Sequence, residues 1–314
     1  MAEQDLYQRH LISMADLSSS DIGQIIETAK VMKAISERDV KKAPTLRGRT
    51  VINFFTEPST RTRTSFEIAG KRLSADVINI SAVGSSLSKG ESLKDMVHNL
   101  DAMKPDMLVI RSRFAGVPSM MTEWIECPVV NAGDGRHEHP TQCLLDLMTI
   151  QEKKEQLEGL KVSIIGDILN SRVAKSNMIA MRKIGMIVTA CGPATLLPVN
   201  IGQVADKVTS SLDEAIDGAD VIMALRVQTE RLERTGFPNV REYSKHFGLN
   251  LDRMKKAKKD ALVLHPGPIN QGVEISPEVA EGPWSVILDQ VTNGVAVRMA
   301  ILYLLLGGGL QINE

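Results

Sequence analysis

The chain has 314 residues, with 37 Lys and Arg against 38 Asp and Glu, a formal net charge of -1 at pH 7. A hydrophobic content of 43% and a charged content of 24% are those of a globular chain and exclude a disordered one. The balanced charge excludes a general nucleic-acid or polyanion binder, so any anion site must be a local cluster of Arg and Lys.

In chain order, short runs rich in Val and Ile predict buried strands over 51–55, 76–80, 107–110 and 129–131, with helical patterns at 63–73, 91–103 and 118–125 between them. A longer helical pattern covers 139–156 and includes the charged run 151–158. The second half repeats the rhythm, with strands predicted over 162–165, 186–190, 221–225 and 262–264 and helices over 171–184 and 212–217. The last pattern, 286–306, reads as one long helix returning to the first domain.

Alternating β and α with buried strands implies the α/β class, with parallel sheets covered by helices on both faces. Eight strands could close one barrel or form two open sheets. The charged run before the fresh strand at Lys161 favours two sheets. The prediction is two doubly wound domains joined by bridging helices, each with a central, mostly parallel sheet flanked by helices. The first would be 1–150 with the helix in 286–314, and the second 151–285, a division that fits about 100–200 residues per domain.

Cys127, Cys143 and Cys191 stand far apart, with neither a CxxC nor zinc spacing, and fit a reducing compartment. Residues 1–10 are polar and hold no apolar signal core. No run reaches the roughly 18 apolar residues of a spanning helix. A soluble, cytoplasmic protein is expected, with no nucleic-acid or membrane partner.

Open α/β sheets bind ligands beyond the carboxyl ends of their strands. After 51–55 comes Ser59-Thr60-Arg61-Thr62-Arg63 and then a helix that Ser59 can cap. Helix N-termini attract anions and normally repel cations, so arginines there, among hydroxyls, predict a phosphate site. Arg111 closes the strand 107–110. After 129–131, Gly133 and Gly135 allow a close turn, Pro140 suits a first helical turn, and His139 and Gln142 share a face three residues apart. His137, Glu138 and His139 lack metal spacing. The stretch 85–92, with Lys89, reads by composition as an exposed loop.

In the second half, Gly166 follows a strand without the further glycines of a dinucleotide loop, and Arg172 sits where the next helix begins. Arg226-Val227-Gln228 follows the strand at 221–225, and His265-Pro266-Gly267-Pro268 follows that at 262–264. Arginines at separate strand ends suit a ligand with two carboxylates, and the Pro-Gly-Pro turn exposes backbone carbonyls. There is no nucleophile elbow, no metal motif and no cofactor loop. The pattern points to group transfer between two charged small molecules.

Ser59-Thr60-Arg61-Thr62-Arg63, His139-Pro140-Thr141-Gln142 and the 265–268 turn together resemble the carbamoyltransferases, over nearly the whole chain. Ornithine-using members carry His-Cys-Leu-Pro where this chain has Pro266, and they use an Asp and a Ser-Met-Gly stretch for the ornithine amine. Arg226-Val227-Gln228 with Glu230-Arg231 is similar to the aspartate-using members instead. The resemblance implies carbamoyl transfer from carbamoyl phosphate to L-aspartate, an early step of pyrimidine biosynthesis, without cofactor, metal or covalent intermediate. It implies that Ser59, Thr60, Arg61 and Thr62 hold the phosphate, and that Arg111, His139 and Gln142 hold the carbamoyl end. Arg172, Arg226 and Gln228 would hold aspartate, and the backbone of Gly267 and Pro268 would orient both ligands. It further implies a homotrimer in which Lys89, with Ser85 or Ser86, enters the neighbouring subunit's site. That reverses the compositional reading of the loop. A regulatory chain or a dihydroorotase is an open further partner. Some members have Leu at the position of Gly267. The alternatives are another acceptor, such as ornithine, or a non-catalytic phosphate-binding relative.

Overall fold

The computed structural model describes residues 9–81, 92–227 and 239–307. Lys89, Ser85, Ser86, Gln228, Glu230 and Arg231 lie outside them. The chain divides into two compact units, Met1–Leu145 with Thr292–Glu314, and Asp146–Val291.

The elements of the first half are α1 (Ser19–Ser36), β1 (Thr50–Phe55), α2 (Thr60–Arg72), β2 (Asp76–Ser81), α3 (Leu93–Ala102), β3 (Met107–Ser112), α4 (Val117–Met121), β4 (Val129–Asp134) and α5 (Pro140–Lys154). The second half contains β5 (Lys161–Ile165), α6 (Arg172–Lys183), β6 (Ile187–Cys191), β7 (Lys207–Thr209), α7 (Leu212–Ile216), β8 (Val221–Ala224), α8 (Val240–Phe247), α9 (Leu251–Met254), β9 (Leu262–Leu264), α10 (Pro277–Ala280) and α11 (Ile287–Leu305). The unit boundaries fall within α5 and α11.

Two open sheets form, as the charged run before Lys161 suggested. The first has the order β2-β1-β3-β4 and the second β7-β6-β5-β8-β9. Every strand pair is parallel. The interior strands are mostly apolar on both faces because helices cover both: Val51, Phe54, Met107, Leu108, Val162 and Val221 have no exposed surface. Edge strands read differently. β2 is mostly exposed, and β7, only three residues long, has no buried residue.

Five of these elements, β7, α1, α8, α9 and α10, escaped the apolar-run reading. β7 offers one apolar residue among three. α1 carries a start signal that pattern-reading passed over: Ser18 Oγ accepts from the Asp21 N–H at 3.1 Å, and Asp21 Oδ2 accepts from the Ser18 N–H at 2.8 Å, a reciprocal capping box. The strand expected at 186–190 begins and ends one residue later, at Ile187–Cys191. The helix expected at 118–125 is the single turn and a half of α4.

Candidate functional site

Strand order explains why arginines follow these strands. In the first sheet, β1 pairs with β2 on one side and β3 on the other, so the chain reverses direction between β1 and β3. In the second sheet the same reversal falls between β5 and β8. At such switch points the outgoing loops run to opposite faces and leave a crevice beyond the strand ends. Ser59 and the first turn of α2, with Arg61, follow β1, and Arg111 is the penultimate residue of β3. Arg172 opens α6, the helix after β5, and Arg226 stands two residues beyond β8.

In the first unit, Ser59 occupies the N-cap position of α2 in extended conformation, but its side chain makes no capping hydrogen bond. The cap expected of Ser59 is therefore positional only. The first turn of α2 holds no acidic residue. Thr60 and Arg61 are exposed and Thr62 is buried. Dipole, hydroxyls and guanidinium all favour negative charge at this end.

Register places Arg111 opposite Phe55, and the Thr56 N–H donates to the Arg111 carbonyl at 2.9 Å. The Arg111 guanidinium donates to Glu57 Oε1 at 3.1 Å and to the Ala132 carbonyl at 3.2 Å. This pair aims a half-buried arginine from the end of one strand toward the loop after its neighbour. Glu57 was missed in the sequence, where it reads as one more loop residue.

Residues 131–139 are held by buried carboxylates. Asp134, 1% exposed, accepts from Asn131 Nδ2 at 2.9 Å, the Glu138 N–H at 3.0 Å and the Gly116 N–H at 2.8 Å. His137 Nδ1 lies 3.1 Å from Asp134 Oδ2. Glu138 accepts from the Ser13 hydroxyl and, at 2.9 Å, from the Met14 N–H. Glu138 therefore anchors the loop and does not point with His139. His139 is buried and its carbonyl receives the Gln142 and Cys143 N–H groups at 3.0 and 3.2 Å, so it sits at the start of α5, with Pro140 in the first turn as predicted. Beneath these helix starts, Arg298 of α11 donates to Ser65 Oγ of α2 at 2.8 Å and to Thr141 Oγ1 of α5 at 3.4 Å. Its guanidinium lies 5.1 Å from the Phe66 ring centroid. One buried side chain thus braces the two helix starts that carry Arg61 and His139.

Glu138→Ala should destabilise the protein by about 3 kcal/mol, since it leaves two buried donors without their acceptor at about 1–3 kcal/mol each. A urea midpoint equal to the parent's would contradict this account of the loop.

In the second unit, Gly166 leaves β5 with φ +122°, and a Cβ there would stand 2.7 Å from the Tyr243 hydroxyl. Asp167 closes the turn by accepting from Asn170 Nδ2 at 2.8 Å. Ser171 caps α6 by accepting from the Ala174 N–H at 3.1 Å, which places half-buried Arg172 in the first turn. At the end of β8 the Leu225 N–H still donates to the Ile165 carbonyl at 2.8 Å, and Arg226 is the next residue. After β9, Gly267 has φ +60° and precedes Pro268 through a cis peptide bond. The Gly267 N–H donates to His265 Nδ1 at 2.8 Å. The His265 imidazole is thereby committed to holding the turn.

The arrangement can hold an anion at the α2 start and polarise a neighbouring carbonyl with Arg111 and His139. In the other unit, two arginines stand at a switch point. Burial pushes the Cys127 and Cys191 thiols up to about 12, so neither serves as a nucleophile near neutral pH.

Comparison with known proteins fits both halves. A family model described as aspartate/ornithine carbamoyltransferase, carbamoyl-P binding domain, matches residues 9–152. A second, aspartate/ornithine carbamoyltransferase, Asp/Orn binding domain, matches residues 158–305. The aspartate carbamoyltransferase catalytic subunit of Syntrophus aciditrophicus is 59% identical over 96% of this chain and 98% of its own length. That of Desulfosudis oleivorans is 56% identical over 96% and 97%. Among solved structures, aspartate transcarbamoylase from Trypanosoma cruzi in complex with carbamoyl phosphate and aspartate superposes with a TM-score of 0.85 at 29% identity, covering 94% of each chain. Ornithine carbamoyltransferase from Pyrococcus furiosus gives 0.87 at 31% identity, covering 98% of this chain and 100% of that one.

Proposed function

The chain belongs to the aspartate/ornithine carbamoyltransferase family, and we infer that it transfers the carbamoyl group of carbamoyl phosphate to the α-amine of L-aspartate. The products are N-carbamoyl-L-aspartate and phosphate, in an early step of pyrimidine biosynthesis. The observation that carries the acceptor is near full-length identity of 51–59% to catalytic subunits named for aspartate. Fold alone does not decide it, because ornithine and aspartate enzymes superpose equally well.

The amine attacks the carbamoyl carbon, a C–N bond forms and the C–O bond to phosphate breaks. The amine proton leaves on the phosphate. Ser59, Thr60, Arg61 and Thr62 bind the phosphate and neutralise its charge as it departs. Arg111, His139 and Thr62 stabilise the negative charge developing on the carbonyl oxygen, and Gln142 binds the amide. A preorganised donor of this kind contributes about 10²–10³ in rate. Arg172, Arg226 and Gln228 bind the two carboxylates of aspartate, and the backbone of Gly267 and Pro268 orients the ligands. The glycine at 267 has a left-handed φ of +60°. A leucine at that position would be strained in this conformation. The working unit is a cytoplasmic homotrimer in which Lys89, with Ser85 or Ser86, completes the neighbouring subunit's site. No described helix is long and apolar enough to cross a membrane.

Purified protein given carbamoyl phosphate should release phosphate with aspartate about 100-fold more efficiently than with ornithine, a discrimination within reach of a site built to pair a second carboxylate. The reverse preference overturns the acceptor assignment. Native mass spectrometry should give three 34.4 kDa chains; a monomer overturns the shared site. Extra mass in lysate would reveal a regulatory chain or a dihydroorotase.

A further inference from the structure

The second unit contains a continuous run of buried polar groups that the transfer chemistry does not use. Asn177 of α6, with no exposed surface, donates to Asp146 Oδ2 at 2.8 Å. Gln290 of α11 donates to Asp146 Oδ1 at 2.7 Å and accepts from the His265 N–H at 3.0 Å. Because the Gly267 N–H can only donate, His265 Nδ1 is an acceptor, and the ring proton sits on Nε2, 3.1 Å from Glu274 Oε1. Glu274 Oε1 also accepts from the Asn270 N–H at 2.7 Å, and Oε2 from Asn270 Nδ2 at 3.2 Å. The same Asn270 Nδ2 donates to the Val227 carbonyl at 2.8 Å. Glu274 and His265 are each 2% exposed.

The run begins on α6, whose first residue is Arg172. It passes the turn at Gly267 and Pro268, and it ends one residue beyond Arg226. Burying carboxylates in this way stabilises a fold less than apolar side chains of equal volume, so stability alone does not account for it. Hydrogen bonds, unlike apolar contacts, fix orientation. We propose that Glu274 and Asn270 are positioning residues for the acceptor amino acid. Through His265 and the Val227 carbonyl, they hold residues 225–227, just after β8, and the turn after β9 in one arrangement that sets the Arg226 fork against the Gly267-Pro268 backbone. The inference rests on the reading above in placing the acceptor at Arg226 and the Gly267-Pro268 backbone and in naming it aspartate.

The test is steady-state kinetics of Asn270→Ala, Glu274→Gln and the double variant, with thermal unfolding of each. Asn270→Ala should raise the acceptor KM about tenfold, the equivalent of one hydrogen bond of about 1.4 kcal/mol. Its kcat and carbamoyl phosphate KM should stay within about threefold of the parent. Glu274→Gln turns one acceptor oxygen into a donor facing Asn270 Nδ2, so the double variant should be no worse in acceptor KM than Glu274→Gln alone. An acceptor KM in Asn270→Ala within about twofold of the parent overturns the proposal, as does a uniform change in all three constants, which a purely structural role predicts. If Glu274→Gln does not fold, Asn270→Ala, at a half-buried position, decides alone. Assaying the parent with aspartate and ornithine in parallel keeps the two readings apart. Failure with aspartate strikes the acceptor assignment, whereas the KM shift tests positioning with whichever amino acid is carbamoylated.

Discussion

Arg61→Ala is expected to lower kcat by about 10³ or more, the range seen when a cation facing a transferred or departing phosphate is removed. The loss should fall on turnover as well as on carbamoyl phosphate affinity, because negative charge on the phosphate grows as the C–O bond breaks. The fold should survive. Arg61 is exposed in the first turn of α2, where alanine is a better helix former and a cation is unfavourable beside the helix dipole. Arg63 supplies the internal control. It lies two residues further, roughly 200° around the helix at 3.6 residues per turn, so the two side chains leave on different sides. Arg63→Ala should therefore cost no more than a few-fold. Equal losses in both variants would mean that a diffuse positive field, and not a directed guanidinium, binds the phosphate. Parent-like turnover in Arg61→Ala, with unfolding unchanged, would remove the phosphate assignment altogether.

The same residues show what a sequence discloses. Interior strands such as β1, β3, β5 and β8 announce themselves because burial on both faces favours near-continuous apolar runs, and arginines at their carboxyl ends stand out against that background. Strand order does not, since it depends on which strand edges pair after collapse. Hence the switch points that give those arginines their meaning emerge only in three dimensions. The supporting carboxylates are hidden for a related reason. Glu57 acquires its role from Arg111, 54 residues away, and Glu138 from Ser13, 125 residues away. Locally, each reads as an ordinary loop acid. Glu274 and His265 are only nine residues apart, yet nothing in their types reveals that both are buried. Lys89 and Gln228 rest on motif resemblance alone, being outside the described residues.

Arg226→Ala carries the second large effect. Arg226 follows β8 at the switch point of the second sheet, half-buried beside buried Val227. A guanidinium paired bidentately with a ligand carboxylate in such a place contributes about 2–5 kcal/mol, so truncation should raise the aspartate KM by about 100-fold. At saturating carbamoyl phosphate, kcat should fall less, since the carboxylate keeps its charge throughout the reaction and is bound equally in ground and transition states. Arg226→Lys separates charge from geometry. Lysine restores the positive charge without the planar fork and should recover only part of the loss. Specificity gives a sharper reading than affinity. If Arg226 pairs the second carboxylate, the preference for aspartate over asparagine must collapse in Arg226→Ala, because the discriminating partner is gone. A variant that binds aspartate weakly yet still rejects asparagine as strongly as the parent would assign that recognition to another group. An unchanged aspartate KM would dismiss the two-arginine clamp itself.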